Sequence, residues 1–221
     1  MNTVPKVRRF RKSWLLAGLS VLVIIVGVLV WSSRSSGKKV VAIPGSVCQQ
    51  ALPSSDIKAL LPKEGEEFKE VPITTGFALP AEPSVHGGGG SCDLSGGGQA
   101  IGIQYNLLLD GYPDEKIQKD AARAGLRALS LGEAKGYVGQ VKRHPKDLTT
   151  ASLYMDCPKP EVRDSKYVLN VAVTRTGNRA DATTRQHVVS LISEATRVVA
   201  REILGCKDAG RLPNGPAKVE R

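Results

Sequence analysis

The chain has 221 residues, a formal charge of +10, 41% hydrophobic and 5% aromatic residues, and four cysteines. Residues 1–39 carry eight basic and no acidic side chains, which leaves 23 basic against 21 acidic in the remainder. Most of the chain is therefore nearly neutral and no nucleic-acid interface is expected. The few aromatic residues argue in the same way against a stacking platform for sugars or single strands.

In chain order, residues 1–13 form a basic tail containing Lys6, Arg8, Arg9, Arg11 and Lys12. Residues 14–31 follow without a charge and include twelve Leu, Ile and Val side chains. At about 1.5 Å per residue they reach roughly 27 Å as a helix, close to the hydrocarbon thickness of a bilayer. Each such aliphatic residue favours insertion by about 0.3–0.6 kcal/mol, so a transmembrane helix is expected. Five basic residues precede it, and Arg34, Lys38 and Lys39 follow it. This bias predicts a cytoplasmic amino terminus and an extracytoplasmic remainder. The apolar run is long for a cleaved signal, and Ser33-Arg34-Ser35 is a poor cleavage site, so an uncleaved signal anchor is expected.

Residues 32–45 read as a linker, polar and flexible at Ser32 to Lys39. Within 46–62 the pattern predicts a short helix after Cys48, capped by Ser54 or Ser55, with Ile57, Leu60 and Leu61 inward and Pro62 closing it. Residues 68–79 read as an edge or bent strand interrupted by Pro72. His86 to Ser91 reads as a glycine-rich loop, and Gly96-Gly97-Gly98 joins Cys92-Asp93-Leu94 to a strand over 100–109 as a hairpin. Pro113, with Asp114 and Glu115, starts a predicted helix that runs to Leu131, with Ile117, Ala121, Ala124, Ala128 and Leu131 as its buried stripe. Three strands are predicted over 135–143, 150–157 and 166–175, the last alternating Tyr167, Leu169, Val171 and Val173 on one side. A final helix over 182–204 carries Val188, Leu191, Ile192, Ala195, Val198, Val199 and Ile203 as its core-facing stripe, and Gly205 ends it. The tail, 207–221, reads as disordered.

The expected fold class is α+β: after the membrane helix, an extracytoplasmic domain over 46–206 in which helices pack on one face of an antiparallel sheet. Strands followed by a helix occur twice, which suggests two similar halves. Four cysteines in an oxidising compartment are read as two disulfides, and three connectivities are open. Cys48 with Cys92 and Cys157 with Cys206 is the preferred set, since each bond closes one half. The four are spread singly, without a C-x-x-C pair, so zinc is not expected.

Cys48, a short helix ending in Leu-Leu-Pro, Cys92 before a strand, and a last helix ending in Leu204-Gly205-Cys206 together resemble uncharacterised envelope proteins of actinobacteria. Some of these are lipoproteins grouped under a domain of unknown function. The resemblance covers most of 46–206. It departs at the anchor, where Leu15-Leu16-Ala17-Gly18 is followed by Leu19 rather than a lipidated cysteine. It implies an envelope location and disulfides, and it carries over no functional residues.

Catalytic patterns fail on their missing partners. His86-Gly87-Gly88-Gly89 imitates a lipase oxyanion loop, but no G-x-S-x-G is present. Ser55 and Lys58 have S-x-x-K spacing without S-D-N or K-T-G, and there is no Walker loop, dinucleotide fingerprint or H-E-x-x-H. Lys142-Arg143-His144-Pro145-Lys146 reads as a solvated turn. No cofactor, catalytic residue or metal site is expected, since His86, His144 and His187 would have to converge from a loop, a turn and a helix. The expectation is a single-pass, membrane-anchored, non-catalytic binding module of the cell envelope, whose partner is an envelope protein, a wall component or a small ligand. The alternatives are a hydrolase using carboxylates such as Asp93, Asp110 and Asp156, tested by their separation, and a structural subunit, marked by a large exposed apolar patch.

Overall fold

Alternation of apolar residues along the strands decides the architecture. A computed structural model describes residues 39–72, 76–78, 88–109, 119, 121–142, 147–158, 167–177 and 181–220. All of them fall in the compact unit Lys39–Arg221. The predicted basic tail and membrane helix, 1–31, lie outside the described residues. Among the described residues no helix is long and apolar enough to cross a membrane.

The elements are β1 (Lys39–Val40), β2 (Ser46–Val47), β3 (Leu52–Pro53), α1 (Ser55–Leu60), β4 (Glu64–Gly65), β5 (Lys69–Pro72), β6 (Gly89–Gly96), β7 (Gln99–Leu109), β8 (Arg127–Leu131), β9 (Ala134–Val141), β10 (Asp147–Asp156), β11 (Tyr167–Gly177), α2 (Ala182–Val198) and β12 (Lys218–Val219). Among the described residues one sheet has eight strands, in the order β12-β8-β9-β10-β11-β7-β6-β5. Every pairing in it is antiparallel. The coarse expectation of an antiparallel sheet with helices is met. Strands from both predicted halves lie in this one continuous sheet, because β7 pairs directly with β11.

One transverse row shows how the core is built. Cys92, Ile103, Val173, Ala151, Val138 and Arg127 are successive register partners from β6 to β8. All but the terminal Arg127 are buried. Parallel rows place Tyr105, Val171 and Leu153, and Leu107, Leu169 and Met155, on the same face. Helix α2 lies against β9, β10 and β11, and α1 packs on α2. Its predicted stripe is buried at Val188, Leu191, Ile192, Ala195 and Val198, each large aliphatic contributing about 1.5–3 kcal/mol. Beyond Val198 the helix widens into a π turn, Val199–Ile203, and Cys206 N–H then donates to Ala200 O at 2.7 Å.

The disulfides follow the preferred pairing. Cys48 joins Cys92 across a Cα separation of 5.4 Å, and Cys157 joins Cys206 across 4.7 Å. The Cys48 segment is unusual: Cys48, Gln49 and Gln50 have φ of 56°, 59° and 69°, a left-handed turn made without glycine. Such residues cost about 1–2 kcal/mol each. Glu70 Oε1 accepts from Gln49 N–H at 2.8 Å, and Gln49 Oε1 accepts from Ala78 N–H at 2.9 Å, so both groups of Gln49 are used to hold the turn.

Four expectations need correction. The helix predicted to reach Leu131 ends earlier: residues 121–123 are helical, but 127–131 form β8. Gly125, at φ 66°, reverses the chain, with Leu126 N–H donating to Ala121 O and Gly125 N–H to Ala122 O. This is a Schellman stop, after which Leu129 and Leu131 alternate into the core as a strand. The described part of the glycine-rich loop is likewise a strand. Gly89 to Ser91 belong to β6 because a Cβ on Gly90 would stand 2.6 Å from both the Tyr105 ring and Gly76 O. Tyr105 fills that space and meets Phe77 edge-on at 5.5 Å. Ser54 occupies the α1 cap position, yet its hydroxyl donates to Pro44 O and Gly45 O rather than capping the helix.

The last correction concerns the tail. Residues 207–220 are built into the fold, with a 3-10 turn at Ala209–Arg211 and the strand β12 paired to β8. Arg201 donates to Ala209 O at 2.9 Å and to Leu212 O at 2.6 Å. One turn earlier on α2, Arg197 donates to Pro213 O at 3.1 Å and Gly215 O at 2.7 Å. The Ser193 hydroxyl accepts from Ala217 N–H at 2.8 Å. The tail has little periodicity because α2, rather than its own secondary structure, satisfies its carbonyls.

Two measurements check these interactions. Gln50→Gly removes the steric cost of one left-handed residue but adds unfolded-state entropy of about 0.5–1 kcal/mol, so urea unfolding should show a net gain of about 0.5–1 kcal/mol; a loss would show that the turn is not strained. Arg201→Ala should lower stability by about 1–3 kcal/mol and raise hydrogen exchange selectively at Lys218 and Glu220, whose amides face β8. Unchanged exchange there would mean that β12 is held by its pairing to β8 alone.

Candidate functional site

The residues singled out by chemistry do not come together. Asp93 lies on β6 and Asp156 on β10, with β7 and β11 between them. Asp93 shares a transverse row with Gly102, Thr174 and Thr150. Asp156 is six residues along β10 from that row, a distance of about 20 Å, and the three strand spacings add about 14 Å across. That is far beyond the reach of a two-carboxylate hydrolase. Asp110, His86 and His144 lie outside the described residues. His187 faces α1, its Nδ1 2.9 Å from Asp56 Oδ1, and so joins the two helices. Among the described residues no three His, Cys, Asp or Glu side chains are grouped closely enough to hold a metal ion. All four cysteines are consumed in disulfides.

Among the described residues a concavity of about 370 Å³ beside Gly65, Glu66, Glu67 and Lys69 has a largely polar lining, and two others are mainly apolar. The first of these two is a groove of about 460 Å³ on the sheet face opposite α2, at the β5–β6–β7–β11 end. Ala100 and Gly102 make its floor, with Val71, Asp93, Gln104 and Thr176 around it. Thr176 is already committed, accepting from Ala100 N–H at 2.9 Å and donating to Ala100 O. This furrow is one side chain deep on a single sheet. Nearer β8 the same face is covered by Leu126, which fills the space a Cβ on Gly139 would need.

The second concavity has walls from three elements and a floor that belongs to the core. It is a cleft of about 310 Å³ between the first two turns of α2, the β8–β9 pair and the C-terminal segment. Val138, Val189 and Ala217 form its base and are buried at 2%, 3% and 7% exposure. Ala182, Pro216 and Val219 extend the apolar wall, while Arg127, Arg185 and Gln186 supply the polar groups. The sequence dictates this arrangement step by step. Arg127 is the register partner of Val138 and ends the buried transverse row, so its stem continues the core face while its head reaches the edge. Ala182, Arg185, Gln186 and Val189 fall at helical spacings on one side of α2. Arg197 and Ser193, by holding 213–217 to the helix, close the third wall.

The electrostatics of the cleft are positive. The Arg127 guanidinium donates from Nε and Nη2 to Glu220 O at 3.3 and 3.1 Å. Arg185 neighbours Asp181, the α2 N-cap, whose carboxylate accepts from Thr184 N–H at 2.6 Å. That hydrogen bond, more than the nearby Arg175 and Arg185, holds the Asp181 carboxyl below its usual range. Burial lowers Arg175, which donates to Leu60 O and Gln99 Oε1, and Asp181 opposes that shift. Gln140, the next residue after Val138 on the same face of β9, has a buried Nε2 with no hydrogen-bond partner among the described residues. An unpaired buried donor costs about 1–3 kcal/mol; Gln140 is not among the residues that line the cleft.

Sequence reasoning finds the cysteines and misses the cleft, because Arg127 lies in the segment misread as helix and Pro216 to Val219 in the segment misread as disordered. Comparison with protein-family models, with curated proteins and with solved structures finds no match to this chain, so the functional reading rests on the residues themselves.

Proposed function

We propose that this protein is a single-pass membrane protein of the cell envelope whose extracytoplasmic domain binds a small ligand in the cleft between α2, β8–β9 and the C-terminal segment. The observation that carries the binding role is the cleft itself: a half-enclosed volume of about 310 Å³ with an apolar base and few polar groups, which is the usual composition of a small-ligand site. The envelope location is supported by two disulfides, since such bonds persist outside the reducing cytosol. It is supported further by the uncharged run at 14–31 with its basic leading flank and by the resemblance to actinobacterial envelope proteins. Among the described residues the exposed large apolar side chains, Val40, Val71 and Val141, stand on three separate strands. Such scattered residues favour a ligand over an apolar subunit interface.

Native mass spectrometry of the full chain released from its own membranes tests the reading, run beside Ala182→Trp, which plugs the cleft mouth from an exposed helix position. A small-molecule adduct on the parent chain, lost in the variant, is expected. Identical spectra for the two would overturn the cleft as a ligand site. Differential thiol alkylation of the same material should find no free thiol before reduction and four after it. Four reactive thiols beforehand would overturn the extracytoplasmic placement.

A further inference from the structure

We infer that the ligand of this cleft is a small anionic amphiphile, with one carboxylate-like head and an apolar body, held head-outward against Arg127 and Arg185. The inference rests on the small-ligand reading above and adds the chemistry of the ligand. Size sets the first limit. At about 30 Å³ for each water, a volume of about 310 Å³ takes roughly ten waters, and it suits a medium-chain fatty acid, whose bonded atoms lie closer together than waters do. The walls set the second: the deepest residues are Val138, Val189 and Ala217, which offer no side-chain hydrogen bond and favour an alkyl or aryl body. Charge sets the third. The lining carries two guanidinium groups and no carboxylate.

Asp181 adjoins Arg185 and offsets one of the two positive charges, so the site matches a single negative head rather than a dianion. Arg127 is steadied by a neutral acceptor, the Glu220 carbonyl, so its charge is left uncompensated by that contact. A guanidinium so placed meets a carboxylate through its planar fork of donors. An uncharged amphiphile would fill the apolar space without meeting the arginines, and a cationic one would add repulsion.

The probe is a ten-carbon carboxylic acid bearing a diazirine, photolysed with the full chain in nanodiscs of zwitterionic lipid. Label is expected on peptides covering 182–189 and 216–219. Unlabelled decanoate should compete at least tenfold better than decanol, a ratio equivalent to about 1.4 kcal/mol. Arg185→Gln, and separately Arg127→Gln, should reduce that ratio toward one while leaving the circular dichroism spectrum unchanged. Equal competition by decanol and decanoate on the parent chain would overturn the anionic head but leave a small-ligand cleft in place. If neither the acid probe nor its alcohol analogue labels those peptides, the small-ligand reading fails with it. A ratio that survives both substitutions would place the head group away from the arginines and overturn the assignment.

Discussion

The position of α2 on the sheet is the constraint from which the rest of the domain follows. Its carboxyl-terminal end is fixed covalently, because Cys206 follows the π turn and is bonded to Cys157 at the end of β10. A loop of 49 residues closed in this way stabilises by about 4 kcal/mol in the chain-entropy model. Along its length the helix is held by burial against β9, β10 and β11. With the helix fixed at one end and packed along its middle, its first two turns overhang the β8–β9 side of the sheet, where the cleft lies.

The tail depends on the same placement. Once α2 is fixed, Ser193, Arg197 and Arg201 lie at successive four-residue steps on one side of it, and all three bond the returning chain. Glu194 accepts from Arg197 at 3.2 and 2.5 Å and orients the guanidinium that holds Pro213 and Gly215. This arrangement explains why a segment of Gly, Pro and Lys becomes a wall of the cleft. Its order is borrowed from the helix, so anything that shifts α2 also shifts the wall.

Much of this was legible in the sequence wherever one physical signal dominated. The stripe on α2 as far as Val198 and the alternation on β11 each favour one conformation, and Gly97 and Gly98 permit the positive φ of the β6–β7 turn; the structure adopts all three. The failures occur where two signals compete. Ala121, Ala124, Ala128 and Leu131 satisfy a helical spacing, while Leu129 and Leu131 satisfy a strand spacing in the same stretch. Gly125 arbitrates, because a left-handed residue with a following apolar Leu126 is a helix stop, and that signal was present to be weighed. Gly89 and Gly90 are open to the opposite error: glycine suggests freedom, but here it is demanded, at Gly89 by the Tyr105 carbonyl and Asn106 and at Gly90 by the Tyr105 ring. The cleft had no local signature at all. Arg127 and Arg185 are 58 positions apart in the chain, and only the register of β8 with β9 and the packing of α2 bring them to one mouth.

The opposite end of the sheet shows why the two disulfides are not equivalent. Near Cys48 three successive left-handed residues oppose folding by about 3–6 kcal/mol in total, and the Cys48–Cys92 bond closes a 44-residue loop worth about 4 kcal/mol. The two contributions are of similar size. What remains in favour of the turn is the burial of Val47, Cys48 and Leu52, together with the Glu70 carboxylate on the Gln49 amide. At Cys157–Cys206 no comparable backbone cost is set against the bond among the described residues: Gly205 takes the positive φ of 63° that the chain needs there. The first disulfide therefore offsets local strain and keeps the β2–β3 corner on the core. The second adds its full constraint to α2, and through α2 to the cleft.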